Sequence, residues 1–226
     1  MKKILVTGGT GFIGSHTTIK LLEANFDVVI LDNLSNSSNK IIDKIKYLSK
    51  KDFLFIKGDI RDKNILKKIF SENKIDSVIH FAGLKAAGES EDYPIKYYEN
   101  NVLGSINLFK EMSLAGVKSI VFSSSATVYG EPKISKCDEN SHLSPVNVYG
   151  KTKLIIENIL KDIKKSDPFW KIVNLRYFNP IGAHPSGIIG EDPKGEPNNL
   201  LPFITQVAVG RRDKLLIYGN DYGTKD

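Results

Sequence analysis

Short apolar runs alternate with longer amphipathic stretches along most of the chain, and this alternation limits the folds that it can adopt. The short runs have the length of buried strands, and the segments between them repeat apolar residues at helical spacing. Near-continuous apolar strands with helices between them form a parallel sheet covered on both faces. The sequence therefore predicts a doubly wound α/β fold of the Rossmann type.

The same pattern predicts the order of the elements. Strands are expected at 3–7, 27–31, 53–56, 77–81, 119–122, 172–175 and 215–218, and helices at 12–24, 40–49, 62–72, 95–115, 148–164 and 201–210. Residues 179–202 hold five prolines and four glycines and are typical of a loop that covers a ligand. The last eight residues favour turns, and no closing element follows them, which indicates a truncated chain.

Composition excludes several classes of protein. Cys137 is the single cysteine in 226 residues, so a disulfide scaffold is excluded and a reducing compartment, the cytoplasm, is predicted. No apolar run approaches the roughly 20 residues of a membrane span. The net charge is +6, but 28 of the 32 basic residues are scattered lysines, which does not favour nucleic acid as a partner. The four histidines lack the spacing of metal ligands, so no metal site is expected.

A glycine-rich turn joins the first predicted strand to the first helix. Gly8, Gly11 and Gly14 follow the spacing G-x-x-G-x-x-G, which lets a dinucleotide pyrophosphate lie against the backbone at the positive end of a helix. Asp32 ends the second strand, 24 residues after Gly8, where a carboxylate can bind the adenosine ribose hydroxyls. An acidic residue there would repel a 2′-phosphate, so NAD is predicted rather than NADP.

Two further motifs carry groups that could move a proton. Tyr149 and Lys153 form a Tyr-x-x-x-Lys pattern that places both on one helix face, where an ammonium can favour the phenolate. Ser125 ends the fifth strand, at the sheet edge where parallel sheets bind ligands. Each pattern alone is also explained by ordinary packing or capping. Together, and in this order, they resemble the extended short-chain dehydrogenase/reductases.

Longer stretches sharpen that resemblance. The segments 5–16, 31–34, 58–61, 80–86, 176–185, 197–202 and 207–212 are similar to the UDP-glucose 4-epimerase family, in order and over nearly the whole chain. The resemblance implies catalytic roles for Ser125, Tyr149 and Lys153. It implies NAD contacts from Gly8, Gly11, Phe12, Ile13, Gly14, Asp32, Asn33, Leu34, Ser35, Asn36, Ser37, Asp59, Ile60, Phe81, Ala82, Gly83, Leu84, Lys85, Asn100, Tyr149, Lys153 and Phe178. It implies UDP-sugar contacts from Ser125, Tyr149, Asn179, Asn199, Leu200, Leu216, Ile217 and Tyr218.

The activity implied by the resemblance is the interconversion of UDP-galactose and UDP-glucose, in galactose metabolism, through a transient 4-keto sugar. A related 4,6-dehydratase would need an Asp-Glu pair after the strand-end hydroxyl, where this chain has Ala126 and Thr127. An epimerase for uronic acids or 2-acetamido sugars and a non-catalytic NAD-binding module are the remaining alternatives.

The resemblance also implies a domain division. Residues 1–178 are expected to form the NAD-binding domain, and 179–226 the beginning of a smaller C-terminal substrate domain that is otherwise missing. Phosphate-clamping arginines would belong to the missing part, so a chain that binds NAD but turns over slowly is expected. A homodimer through the predicted helices 95–115 and 148–164 is the expected assembly.

Overall fold

A computed structural model describes residues 1–131, 136–193, 195–197, 199–217 and 219. Its strands are β1 (Lys3–Thr7), β2 (Asp27–Asp32), β3 (Leu54–Lys57), β4 (Ser77–His80), β5 (Ser119–Ser125) and β6 (Lys171–Tyr177). Its α-helices are α1 (Phe12–Glu23), α2 (Lys40–Ser49), α3 (Lys63–Glu72), α4 (Ala87–Asp92), α5 (Pro94–Tyr97), α6 (Gly104–Leu114), α7 (Val148–Ser166) and α8 (Leu200–Ala208). A π-helix (Tyr98–Leu103) joins α5 to α6, and a 3₁₀ turn (Ala126–Tyr129) follows β5.

The six strands form one parallel sheet in the order β3-β2-β1-β4-β5-β6. The chain moves outward from β1 in one direction and then returns to β4 on its other side. The carboxyl ends of β1 and β4 therefore flank the point where the strand order reverses, which is where such sheets bind ligands. The predicted doubly wound Rossmann fold is confirmed.

Alternation along the central strands divides the core into two layers. Leu5, Val29 and Leu31 point to one layer, and Val6 and Ile30 point to the other. All five are at most 1% exposed, because helices cover both faces of these strands. Residues of α1 and α2 lie in the second layer and residues of α3, α6 and α7 in the first.

The structure corrects three of the predicted elements. The helix expected at 95–115 is divided by the π-helix, whose extra residue per turn brings Asn100 and Asn101 inward. The outer strand β6 is not covered on both faces, since Val173 and Leu175 are 50% and 39% exposed. Residues 215–217 form no strand, because the described part of the chain places no partner strand beside them. Tyr218, the last residue of that prediction, lies outside the described residues.

Candidate active site

The turn after β1 leaves no room for a side chain at Gly8 or Gly14 and exposes the start of a helix. Gly8 has φ +70°, and a Cβ there would lie 2.7 Å from the backbone nitrogen of Ala82. A Cβ on Gly14 would collide with the carbonyl oxygen of Gly8. Gly11 precedes α1, and its N-cap position makes no side-chain hydrogen bond. The helix therefore directs its uncapped first turn at the cleft, as a pyrophosphate site requires.

Asp32 anchors the next part of the cleft. Its carboxylate accepts hydrogen bonds from the backbone nitrogens of Thr10 (3.0 Å) and Leu34 (2.8 Å). Thr10 Oγ1 in turn lies 2.6 Å from Ser37 Oγ. The carboxylate thus links the glycine turn to the loop after β2 and keeps its charge where ribose hydroxyls would bind.

Asp59 is held by hydrogen bonds from two residues, Arg61 and Asn33. Its oxygens accept hydrogen bonds from the Arg61 backbone and guanidinium and from Asn33 Nδ2, each at 2.9 Å. The Arg61 side-chain hydrogen bond lowers the pKa of Asp59 to about 2, against the opposing effect of burial. These four hydrogen bonds occupy all the acceptor positions of the Asp59 carboxylate. An adenine amino group could therefore bind Asp59 only by displacing one donor, and Asn33 is the neutral side chain among these donors.

The loop after β4 is clamped by one buried amide. Asn101, 1% exposed, accepts from the Leu84 backbone nitrogen (2.8 Å) and from Asn100 Nδ2 (3.0 Å). Its Nδ2 donates to the Leu84 carbonyl (3.0 Å) and to Thr152 Oγ1 (3.1 Å). The amide satisfies all four of its hydrogen bonds and joins the predicted NAD loop to α7. A Cβ on Gly83 would lie 3.3 Å from Asn101 Oδ1, so the two residues pack closely.

His80 ends β4 and forms a chain of hydrogen bonds beneath that loop. Ser105 Oγ donates to the Asn101 carbonyl and lies 2.9 Å from His80 Nε2, so Nε2 carries the proton. Nδ1 then accepts from Thr7 Oγ1 (2.6 Å), which itself accepts from the Ala82 nitrogen at 3.3 Å. Complete burial, aided by the charge of Lys153, lowers the pKa of His80 to about 3. The ring is neutral and ties β1, β4 and α6 together.

Ser125, Tyr149 and Lys153 meet at the carboxyl end of β5. Lys153 Nζ donates to the Ser123 carbonyl (2.8 Å) and lies 5.8 Å from the centroid of the Tyr149 ring. Asn147 caps α7 by accepting from the Gly150 nitrogen (2.7 Å), and Ser90 Oγ accepts from the Tyr149 nitrogen (3.0 Å). These bonds fix the start of α7, so that the i, i+4 pair faces the strand end.

The proton affinities of this pair are set first by burial. Desolvation raises the pKa of Tyr149, and a hydrogen bond from Ser125 partly offsets that rise. Desolvation also lowers the pKa of Lys153 to about 8. The sequence predicts that Lys153 favours the phenolate of Tyr149 and so lowers the pKa of the phenol. In the structure, by contrast, the pKa of this phenol is raised. Burial outweighs the ammonium, and a further positive charge would have to favour the phenolate.

A cleft of about 880 Å³ runs along the carboxyl edge of the sheet. It brings together most of the predicted cofactor residues, from the glycine turn through Asp32 and Asp59 to Lys153 and Phe178. Leu34 and Tyr149 are not among its lining residues: Leu34 adopts φ +60° and donates its backbone N–H to Asp32, and the Tyr149 ring lies beside Lys153, which lines the cleft. Ser125 itself lines the cleft, so a ligand can reach it.

The predicted substrate residues are less completely assembled. Asn199 lines the cleft and donates to Glu191 Oε1 at 2.6 Å. Asn179, Leu200, Leu216 and Ile217 are not among the lining residues, and the last three are 67%, 46% and 84% exposed. Tyr218 lies outside the described residues. The cofactor half of the predicted site is thus the better formed one.

Sequence reasoning missed several residues that the site uses. Asn101 and Thr152 lie beside predicted residues but carry no motif of their own. Thr127 Oγ1 donates to Ser125 Oγ at 2.9 Å, which orients that hydroxyl. Glu191 accepts from Lys85 at 3.2 Å and closes one wall of the cleft. Asn101 follows the polar residues Glu99 and Asn100, so the sequence carried no signal that set it apart.

Fold and site define a class: a dinucleotide-binding Rossmann domain with a Tyr–Lys pair and a strand-end hydroxyl at one end of its cleft. A sequence model of the NAD dependent epimerase/dehydratase family matches residues 4–226, and the chain belongs to that family. The resemblance stated from the motifs is confirmed.

Among its relatives, UDP-glucose 4-epimerase from Neisseria meningitidis serogroup B is 59% identical over 227 residues, covering 100% of this chain and 67% of the relative. The crystal structure of UDP-glucose 4-epimerase from Bifidobacterium longum in complex with NAD⁺ and UDP superposes with a TM-score of 0.96 at 49% identity. That match covers 100% of this chain and 68% of that one. The UDP-Glc/GlcNAc 4-epimerase from Campylobacter jejuni has a TM-score of 0.84 at 37% identity, with 100% and 68% covered.

The chain thus spans about two thirds of the length of these relatives. In the described part of the chain, no helix is both long and apolar enough to cross a membrane. The described residues also contain no cluster of three or more His, Cys, Asp or Glu side chains that could hold a metal ion.

Proposed function

We propose that this protein interconverts UDP-galactose and UDP-glucose with bound NAD as its cofactor. The observation that carries the proposal is the placement of Ser125 and Lys153 in the cleft that the glycine turn and Asp32 begin, with the Tyr149 ring beside Lys153. High identity to UDP-glucose 4-epimerases over the whole chain supports the same reaction.

The residues fit NAD in three respects. Gly8 and Gly14 form a cradle that a Cβ would fill, the uncapped first turn of α1 suits a pyrophosphate, and Asp32 suits two ribose hydroxyls. When bound, NAD⁺ supplies the hydride acceptor and a positive charge at its nicotinamide end. Lys85, Asn100 and Phe178 line the cleft between the turn and the catalytic residues and would hold that end.

Tyr149 acts as the base in this proposal. Its phenolate accepts the proton of the sugar 4-hydroxyl while C4 is oxidised. After the 4-keto sugar has rotated to present its opposite face, C4 is reduced again and the phenol returns the proton. Ser125, oriented by Thr127, binds the same oxygen. Lys153 stays fixed on the Ser123 carbonyl and stabilises the phenolate by its charge.

The site favours epimerisation over dehydration within this family. Elimination of water needs an acid and a base near C5 and C6 of the sugar. Ala126 and Thr127 follow Ser125, and the Thr127 hydroxyl is already committed to Ser125. Neither side chain can ionise to serve as that acid or base.

We infer that residues 179–226 begin the substrate-binding region, with 1–178 as the NAD-binding domain. Residues 187–193 and Asn199 form a wall of the cleft, which supports contact with a ligand there. Asn179, Leu200, Leu216, Ile217 and Tyr218 are proposed to contact the UDP-sugar. The same proposal includes a pair of identical chains, because Leu103, Ile106 and Ile155 expose apolar side chains on neighbouring helical segments.

The proposal is tested with the purified protein, UDP-galactose and NAD, following the anomeric proton of UDP-glucose by NMR. We expect Tyr149→Phe to lower the rate by about 10²-fold or more, as loss of a general base does. Tyr47→Phe, at an exposed tyrosine on α2, is the control and should keep the parent rate. Equal rates for parent and Tyr149→Phe would reject the assigned base. NAD recovered from the denatured parent without any conversion would favour a non-catalytic cofactor module.

A further inference from the structure

Glu157 is a buried carboxylate on α7 that the proposed reaction does not use. It is 5% exposed, and both oxygens are bonded. Oε1 accepts from Ser124 Oγ (2.5 Å) and from Arg176 Nε (3.0 Å), and Oε2 accepts from Arg176 Nη2 (2.8 Å). Burying an ion pair costs desolvation free energy that an apolar pair would avoid, so packing alone does not explain it.

Its position along α7 relates it to the catalytic residues. Tyr149, Lys153 and Glu157 are spaced by four and share one helix face. Two of them are hydrogen-bonded to the end of β5: Lys153 Nζ donates to the Ser123 carbonyl, and Glu157 accepts from Ser124 Oγ. Two successive turns of α7, directly after the turn that carries Tyr149, are therefore fixed to two adjacent residues of β5.

Arg176 connects Glu157 to Phe178, a residue that lines the cleft, through the side chain of Tyr129. Its Nη1 donates to the Tyr129 hydroxyl at 3.1 Å, and its guanidinium lies 5.1 Å from the centre of that ring. Tyr129 stacks on Phe178, with the centroids 6.3 Å apart and the planes at 27°. Phe178 lines the cleft. The guanidinium fork thus connects α7, the 3₁₀ turn after β5 and the residue that follows β6.

We propose that Glu157 and Arg176 are positioning residues that set the register of α7 against β5 and thereby place Tyr149 and Lys153 for proton transfer. The two-bond fork between a guanidinium and a carboxylate fixes direction as well as distance. An apolar contact would allow α7 to slide along the strand. This inference rests on the proposed function, since it assigns a role in that same reaction.

The first test is Glu157→Gln, which keeps the side-chain length but loses one arm of the fork. We expect kcat for UDP-galactose to fall about tenfold with an unchanged KM, because small displacements of reacting groups are costly in rate. Arg176→Lys should behave alike, since an ammonium cannot form the fork. Ser124→Ala removes a single hydrogen bond from the Glu157 carboxylate. It replaces either of the first two variants if that variant fails to fold.

The second test does not depend on epimerisation. Ionisation of Tyr149 in the NAD-bound protein is followed by tyrosinate absorbance, as the difference from Tyr149→Phe. Ser125 on β5, Lys153 on α7 and Tyr97 on α5 are the groups that act on or respond to this phenol. The variants leave these three side chains unchanged in identity. If loss of the fork displaces Lys153 from the phenol, the midpoint of the Tyr149 titration should rise by about half a pH unit.

Asp167→Asn is the matched control. Asp167 pairs with Lys118 at 2.8 Å and joins the same helix to the start of the same strand, at the end away from the site. All variants are compared at equal intervals below their melting temperatures. A raised midpoint in Glu157→Gln or Arg176→Lys, with no change in Asp167→Asn, supports the positioning role.

Equal midpoints in all variants, or the same shift in Asp167→Asn, would overturn it and leave Glu157 a purely structural residue. Absence of UDP-galactose conversion by the parent would reject the proposed function instead. The titration would then still decide whether Glu157 positions the phenol, because it needs only bound NAD.

Discussion

Gly14 shows how closely the backbone is packed at the cofactor cradle. A Cβ at this position would collide with the Gly8 carbonyl and lie 2.8 Å from the Gly9 Cα. Both neighbours are backbone atoms within one tight turn, so neither can move aside without changing the turn itself. Geometry therefore requires glycine at this position of the proposed NAD site.

Gly14→Ala should lower the free energy of unfolding by about 1–3 kcal/mol, the cost of overpacking. It should also weaken NAD binding, because the turn must open to admit the methyl group. Urea titration and isothermal calorimetry with NAD measure the two effects. Gly88→Ala is the control: a Cβ there meets nothing within 4 Å on helix α4. That variant should be as stable as the parent or gain up to about 1 kcal/mol. Indistinguishable variants would contradict the steric account.

The packing of strands and a helix around His80 makes the stability of the fold depend on pH. His80 is buried between β1 and α6, and its lone ring proton is committed to Ser105. Its pKa falls from 6.5 to about 3 on folding, so the unfolded chain binds a proton in this interval and the folded chain does not. Stability from this group is complete above pH 6.5 and is lost as the pH falls toward the folded-state pKa.

The free energy of unfolding should therefore decrease by about 1 kcal/mol for each pH unit below 6.5, in addition to the effect of the carboxylates. His80→Gln keeps one donor and one acceptor and should reduce that slope, although its stability at neutral pH is lower. His142→Gln, at an exposed histidine, is the control variant. Its free energy of unfolding should change with pH at the same slope as that of the parent. Urea unfolding at a series of pH values gives these slopes. Parallel curves for the parent and His80→Gln would show that the histidine does not carry the effect.

At the scale of the whole molecule, the proposed pairing of two chains depends on exposed apolar side chains. Leu103, Ile106 and Ile155 are 46%, 41% and 36% exposed, and the π-helix that carries Leu103 packs against α7. Sedimentation should give a mass of about twice 25.2 kDa. Ile106→Glu should halve that mass, because a charge in the contact is costly to desolvate. Tyr47→Glu, at an exposed site on α2, should leave it unchanged, and a monomeric parent would refute the pairing.

Much of this architecture could be predicted because the signals are local. The apolar runs of β1, β2 and β4 predict strands, and the helices that follow them are recognisable by their 3.6-residue period. The split in the helix at 98–103 was not predictable in this way, since the inward position of Asn101 depends on its hydrogen bonds to the loop after β4 and to α7.

The sequence by itself determined the doubly wound α/β fold, the glycine turn at Gly8–Gly14, Asp32 at the end of β2 and the shared helix face of Tyr149 and Lys153. Each depends on residues within one turn, one strand or one βα unit, where spacing alone decides geometry. The tertiary structure decided the partners of Asn101, His80 and Glu157. The hydrogen bonds that tie them to other elements join residues 17 to 73 positions apart, and such pairs form only when strands and helices from separate parts of the chain pack side by side.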